Sequence, residues 1–106
     1  MSRRETQVSE AIAHLAGEFF ARESSVASLI TVTHTDMSPD LKSAVVYISV
    51  LPQTKEEETL KFAKRARSDF RMYVRAHSFL HPTPIVDFKI DFGEKNRQRI
   101  DDLTRK

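Results

Sequence analysis

Six basic side chains crowd the stretch from Lys61 to Arg75: Lys61, Lys64, Arg65, Arg67, Arg71 and Arg75, against one acid, Asp69. At 100° per residue of helix, Lys61, Lys64, Ser68, Arg71 and Arg75 share one stripe, whereas Leu60, Ala63, Ala66, Phe70 and Val74 share another. The segment therefore packs with one side and shows a nearly uniform positive side. Solvated helix faces usually mix signs, because opposite charges four apart stabilise and like charges repel. A run of cations that repel one another fits a polyanion, and the polyanion such a stripe suits is a nucleic-acid backbone. Arginine pairs with phosphate oxygens through two parallel hydrogen bonds, and lysine acts as a point charge. The candidate nucleic-acid contacts are thus Lys61, Lys64, Arg67, Arg71 and Arg75, with Arg65 flanking them. Ser68 is a further donor, and Arg3 and Arg4 form a second basic point. No aromatic residue is clearly displayed on this face, so base stacking is expected to be minor.

Other chemistries find little support. There is no cysteine, which excludes disulfides, thiolate metal sites and cysteine nucleophiles. No Gly-rich phosphate loop, nucleophile elbow or HExxH occurs. His77 and His81 are spaced i,i+4, a spacing that suits a metal, but His81 abuts Pro82 and no third ligand stands out. His14 and His34 are isolated and read as structural or exposed. Asp36, Asp40, Asp87 and Asp91 lie near strand ends or on a strand's outer face and read as solvated. A metal-dependent hydrolase would need several of them to converge. No enzyme, metal or cofactor is expected. The competing class is a protein-interaction module whose basic helix face meets an acidic protein. Steep salt dependence separates the two, since nucleic-acid binding releases counterions.

Positioning the basic stripe requires a fold, and 106 residues suit one domain, spanning 1–106. A hydrophobic fraction of 40% allows a core without staples, and two glycines and four prolines argue against a long linker. Net charge is only +2, so it is the distribution of charge that carries the argument. No run of about 18 apolar residues exists, and the polar start lacks a signal core, so a cytoplasmic location is expected.

Val8, Ile12, Leu15 and Phe19 predict a helix over about 4–22, weakened at Gly17 by about 1 kcal/mol against alanine. Two strands follow, 28–37 and 43–51, as a hairpin about Ser38-Pro39-Asp40. Ala44, Val46, Ile48 and Val50 point to one face. Thr54 is the expected cap of the next helix, with Glu56, Glu57 and Glu58 offsetting its dipole. The helical pattern runs from about 55 to 80, long enough to expect a break, and His81-Pro82-Thr83-Pro84 stops it. In the strand 85–91, Val86, Phe88 and Ile90 face the core, and Asp87, Lys89 and Asp91 face water. A short helix over 94–103 closes the chain. The order α-β-β-α-α-β gives an α+β two-layer sandwich.

The hairpin residues Ser38-Pro39-Asp40-Leu41, then Ala44, Val46 and Tyr47, resemble the "V-S-x-D-L-x-x-A-x-V-Y" type signature of the ribosome-binding factor A family. Pro84, Phe88 and Asp91 are similar to its "P-x-L-x-F-x-x-D" strand, Arg99-Ile100-Asp101-Asp102-Leu103 to its "R-I-x-x-L" close, and Arg71 stands where the family has an arginine. The resemblance implies a type II KH-like fold with a kinked helix pair on a three-stranded sheet. It also implies a monomeric, non-enzymatic assembly factor that binds the free 30S subunit and its 16S rRNA, aids late rRNA maturation and is linked to growth in the cold. The family marks its kink with Ala-x-Gly; here Ala66-Arg67-Ser68 puts serine in the glycine's place. Its Asp-Pro-Arg segment after the first helix is replaced by Glu23-Ser24-Ser25.

Overall fold

The computed structural model describes residues 3–23 and 29–93. The elements run α1 (Arg3–Glu23), β1 (Leu29–Met37), β2 (Ser43–Leu51), α2 (Glu56–Arg65), α3 (Arg67–His77) and β3 (Ile85–Ile90), with a 3-10 turn at Gln53–Lys55. This is an α+β fold in the expected order α-β-β-α-α-β. The expected exit of the first helix at Ser24-Ser25 and the expected terminal helix over 94–103 lie outside the described residues.

The sheet order is β1-β2-β3. β1 and β2 are antiparallel, with Leu29 opposite Leu51 and Met37 opposite Ala44. β3 runs parallel to β2, with Ser43 opposite Ile85 and Ile48 opposite Ile90. The two helices α2 and α3 supply the crossover that a parallel pair needs. Alternation along β2 sends Ala44, Val46, Ile48 and Val50 into the core. Phe20, Phe70 and Phe88, each nearly fully buried, meet them from α1, α3 and β3. Phe88 lies 5.1 Å from Phe20 and 5.5 Å from Phe70 between ring centroids, in tilted or edge geometry. Such pairs add about 0.5–1.5 kcal/mol to the burial of the rings.

The hairpin turn is closed by one hydroxyl. Ser38 Oγ accepts the amides of Lys42 (3.2 Å) and Ser43 (3.0 Å) and donates to Asp40 Oδ1 at 2.6 Å. The Ser38 hydrogen bond, with the Lys42 amide, holds the Asp40 carboxyl below the ordinary carboxylate value. Leu41 adopts φ 61°, unusual for a branched residue. Its amide bonds Ser38 O at 2.9 Å and its side chain packs against the core, which holds the strained position.

The long helical pattern does break. Ala66, at φ −87° and ψ 3°, ends α2 and begins α3. Its amide is shared between Phe62 O (3.0 Å) and Ala63 O (3.1 Å), and Phe70 then donates to Ala66 O at 2.8 Å. Because φ is negative, any L-residue can make this kink. Ser68 lies one residue inside α3, so serine in place of glycine meets no backbone obstacle. Two boundaries differ from expectation. Lys55, not Thr54, occupies the N-cap of α2 and makes no side-chain capping bond, because Thr54 is taken up in the 3-10 turn. α3 ends at His77 rather than 80, where Ser78 turns extended and its hydroxyl donates to Val74 O at 2.6 Å.

Candidate nucleic-acid interface

α2 and α3 present their cations beside the edge strand β3. Two of the candidate residues are already paired there. Lys64 Nζ lies 3.0 Å and Arg67 Nη1 3.2 Å from the same oxygen, Asp87 Oδ1. Burial pushes the Asp87 carboxyl up, but the Lys64 hydrogen bond, the Phe88 amide and the charges of Lys64 and Arg67 outweigh it, and the net shift is downward. Alternation along the strand predicts that Asp87 faces water. It is instead half-buried, because β3 is an edge strand and its side chain reaches the helix pair. The positive face is therefore less uniform than the helical spacing suggests. Lys61 also has a counter-charge, Glu57, at 3.5 Å, although both are well exposed and such a pair contributes little.

Arg71 donates to Thr83 O at 3.0 Å and so ties the 81–84 segment to α3. Arg65 and Arg75 are exposed and make no ion pair among the described residues. Arg71, Arg75, Ser68 and Met72 line one side of a cleft of about 360 Å³; His81, Pro82 and Thr83 line the other. A second cleft of about 200 Å³ continues past Ser68 and Arg71 to Arg67, Ile85 and Val86. Ser68 thus stands at the junction of the two, with its hydroxyl on an exposed first turn. Arg3 and Arg4 are exposed at the start of α1 and line neither of these two clefts. Arg4 lines a third cleft of about 170 Å³ with Asp40, Leu41, Phe79, His81 and others. The structure thus brings Arg67, Ser68, Arg71 and Arg75 together along one groove, whereas Lys61 and Arg65 flank it and Lys64 is held against Asp87.

Three further expectations change. Alternation predicts Asp91 in water, yet it is buried. A bulge in β1 between Val32 and His34 re-aims Thr33, whose hydroxyl donates to Asp91 Oδ2 at 2.6 Å. His34 is not isolated: Nδ1 lies 3.3 Å from Asp91 Oδ2 and the ring stacks on Tyr47 at 4.4 Å. The third change concerns aromatics, since Phe79 is 99% exposed and lines the cleft next to the basic groove. The sequence pattern puts Phe79 at the end of a helix, where nothing marks it as displayed. Nor does it reveal Asp87 as a partner, because alternation distinguishes inward from outward but not which helix side chains reach an edge strand.

His77 Nδ1 donates to Tyr73 O at 2.9 Å and its ring stacks on Tyr73, whereas His81 lines the cleft wall with Pro82 and Thr83. Among the described residues, no group of three or more His, Asp or Glu side chains is placed to hold a metal. Nor is any helix among them long and apolar enough to cross a membrane.

A family model described as ribosome-binding factor A matches residues 2–104. Solved structures share the fold. A Thermotoga maritima protein proposed to be a ribosome binding factor A superposes with TM-score 0.70 at 24% identity, covering 84% of this chain and 88% of that one. Ribosome-binding factor A from Thermus thermophilus gives 0.73 at 17% identity, over 81% of this chain and 93% of that one. A Thermus thermophilus homology model fitted into the cryo-EM map of a 30S complex gives 0.65 at 23% identity, over 85% and 93%.

Proposed function

The chain belongs to the ribosome-binding factor A family, and from that premise we propose that it is a ribosome assembly factor that binds the free 30S subunit and its 16S rRNA. It acts as a monomeric single domain in the cytoplasm, assists late maturation of that rRNA and supports growth in the cold. It catalyses no reaction itself and favours an rRNA arrangement that other enzymes process.

The observation that carries this reading is the open groove beside α3, in which Arg71 and Arg75 face Pro82 and Thr83 across a cleft that a sugar-phosphate chain can follow. A relative fitted into a 30S complex shares the fold. Guanidinium groups on one wall bind phosphate oxygens, and Ser68 donates a further hydrogen bond from the first turn of α3. Lys64 and Arg67 start from a pair with Asp87, so they set the potential of the groove more than they grip the first phosphate. Lys61, Arg65, Arg3 and Arg4 extend the positive field beyond it.

The test is co-sedimentation of the purified protein with free small subunits and with whole ribosomes, at low and at high salt. Salt-sensitive pelleting with free small subunits, and little with whole ribosomes, is the expected result. Pelleting with neither would move the function to an acidic protein partner.

A further inference from the structure

Phe79 is 99% exposed, yet the backbone that carries it is tied on both sides. Ser78 Oγ donates to Val74 O at 2.6 Å and accepts the Leu80 amide at 3.3 Å. Thr83 Oγ1 donates to Leu80 O at 3.1 Å, and the Leu80 side chain packs against the core. The ring is thus held out by an anchored turn rather than left on a loose end. An aromatic ring so displayed contributes nothing to the core, and its neighbours indicate what it meets. Phe79 and Arg4 line one cleft, and Arg71 and Arg75 line the next; His81 and Pro82 are common to both and form the ridge between them. One carboxylate, Asp40, borders the first cleft, at the far side formed by the hairpin turn.

We propose that Phe79 stacks an unpaired base of the RNA whose phosphates lie on Arg71 and Arg75 across the His81–Pro82 ridge. This rests on the RNA reading above and adds the class of RNA: a splayed single-stranded segment, not a duplex. The charge decides for RNA over an apolar protein surface. A nucleotide brings a π-face and an anionic phosphate within one unit, and the surface offers a free ring next to guanidinium groups. A duplex keeps its base faces stacked inside, so only an unpaired base can lie on the ring. Base–aromatic stacking of this kind tolerates any base.

The chain has no tryptophan, so Phe79→Trp introduces a single indole reporter. The probes are a single-stranded oligoadenylate and an RNA duplex with the same number of phosphates, titrated at low salt. The indole is expected to be quenched by the single strand and not by the duplex. Phe79→Ala, which touches no core residue, is expected to lower the ratio of single-strand to duplex affinity roughly five- to a hundredfold. An unquenched indole together with an unchanged ratio overturns the stacking. If the wild type still binds both RNAs in a salt-dependent way, the RNA reading survives that failure. Indole enhancement and a blue shift with RNA-free ribosomal proteins, but no response to RNA, would make Phe79 a protein contact and overturn it. Binding of neither RNA by the wild type would overturn both readings together.

Discussion

Lys64 Nζ on α2 sits 3.0 Å from Asp87 Oδ1 on β3, and this ion pair takes one of the candidate phosphate-binding cations out of the open field. Arg67 shares the same oxygen, so one carboxylate tempers two cations. The arrangement ties the helix pair to the edge strand and leaves Arg71 and Arg75 as the freer charges of the groove.

Removing the carboxylate reverses this balance. Asp87→Asn is expected to strengthen RNA binding and to steepen its salt dependence. In a log–log plot of affinity against salt, each newly available cation that meets a phosphate adds roughly 0.7 to 0.9 to the slope. A slope and affinity equal to wild type would show that Lys64 and Arg67 do not reach the RNA.

The same pair makes stability acid-sensitive. The folded Asp87 carboxyl titrates below its ordinary value of 3.8. As pH falls, the unfolded chain takes up the proton first, so the contribution is full above about pH 4 and fades as pH drops through the lowered folded value. Urea unfolding from pH 5 down to 2 is expected to show a smaller loss for Asp87→Asn than for wild type. Identical pH profiles would mean that the pair adds nothing to the fold.

Arg71 and Arg75 separate binding from structure. Arg75→Glu is expected to weaken binding to small subunits with no change in melting temperature. Arg71→Glu weakens binding and also removes the hydrogen bond to Thr83 O, with a stability loss of about 1–3 kcal/mol. The double reversal, in a folded variant, should lose most salt-sensitive pelleting. Unchanged pelleting would remove the groove from the interface.

The kink needs no glycine. Ser68→Gly is expected to destabilise by up to about 1 kcal/mol, because α3 gains chain entropy to lose and the break at Ala66 stays where it is. A stabilised Ser68→Gly protein, by thermal melting, would place the kink requirement at 68 instead.

Gly17 offers the opposite exchange. A Cβ there meets nothing within 4 Å, and the position is exposed within α1. Gly17→Ala is expected to stabilise by about 1 kcal/mol in urea unfolding, with subunit binding unchanged. A destabilised variant would show that helix propensity does not limit α1 at this position.

The sequence alone determined the element order and the apolar faces. Val8, Ile12 and Phe19 at helical spacing, and Ala44, Val46 and Ile48 at strand spacing, carry periodic signals that survive into the structure as buried rows. Local punctuation located the hairpin turn, since a turn acts through a few neighbouring residues, but the stop it marks at Pro82 lies beyond His77, where α3 ends. Tertiary structure decided which charges are free. Asp87 and Lys64 are 23 residues apart in the chain, and only the packing of α2 on an edge strand makes them partners. Asp91 is buried with the Thr33 hydroxyl on its carboxylate, a contact between the bulged β1 and the end of β3 that neither strand's own pattern shows. Phe79 followed the same rule: periodicity extended the helix through it, and the hydroxyl of Ser78 ended the helix two residues earlier. Spacing reports what a residue's own element does with it, whereas pairing and exposure depend on elements distant in sequence that the fold brings alongside.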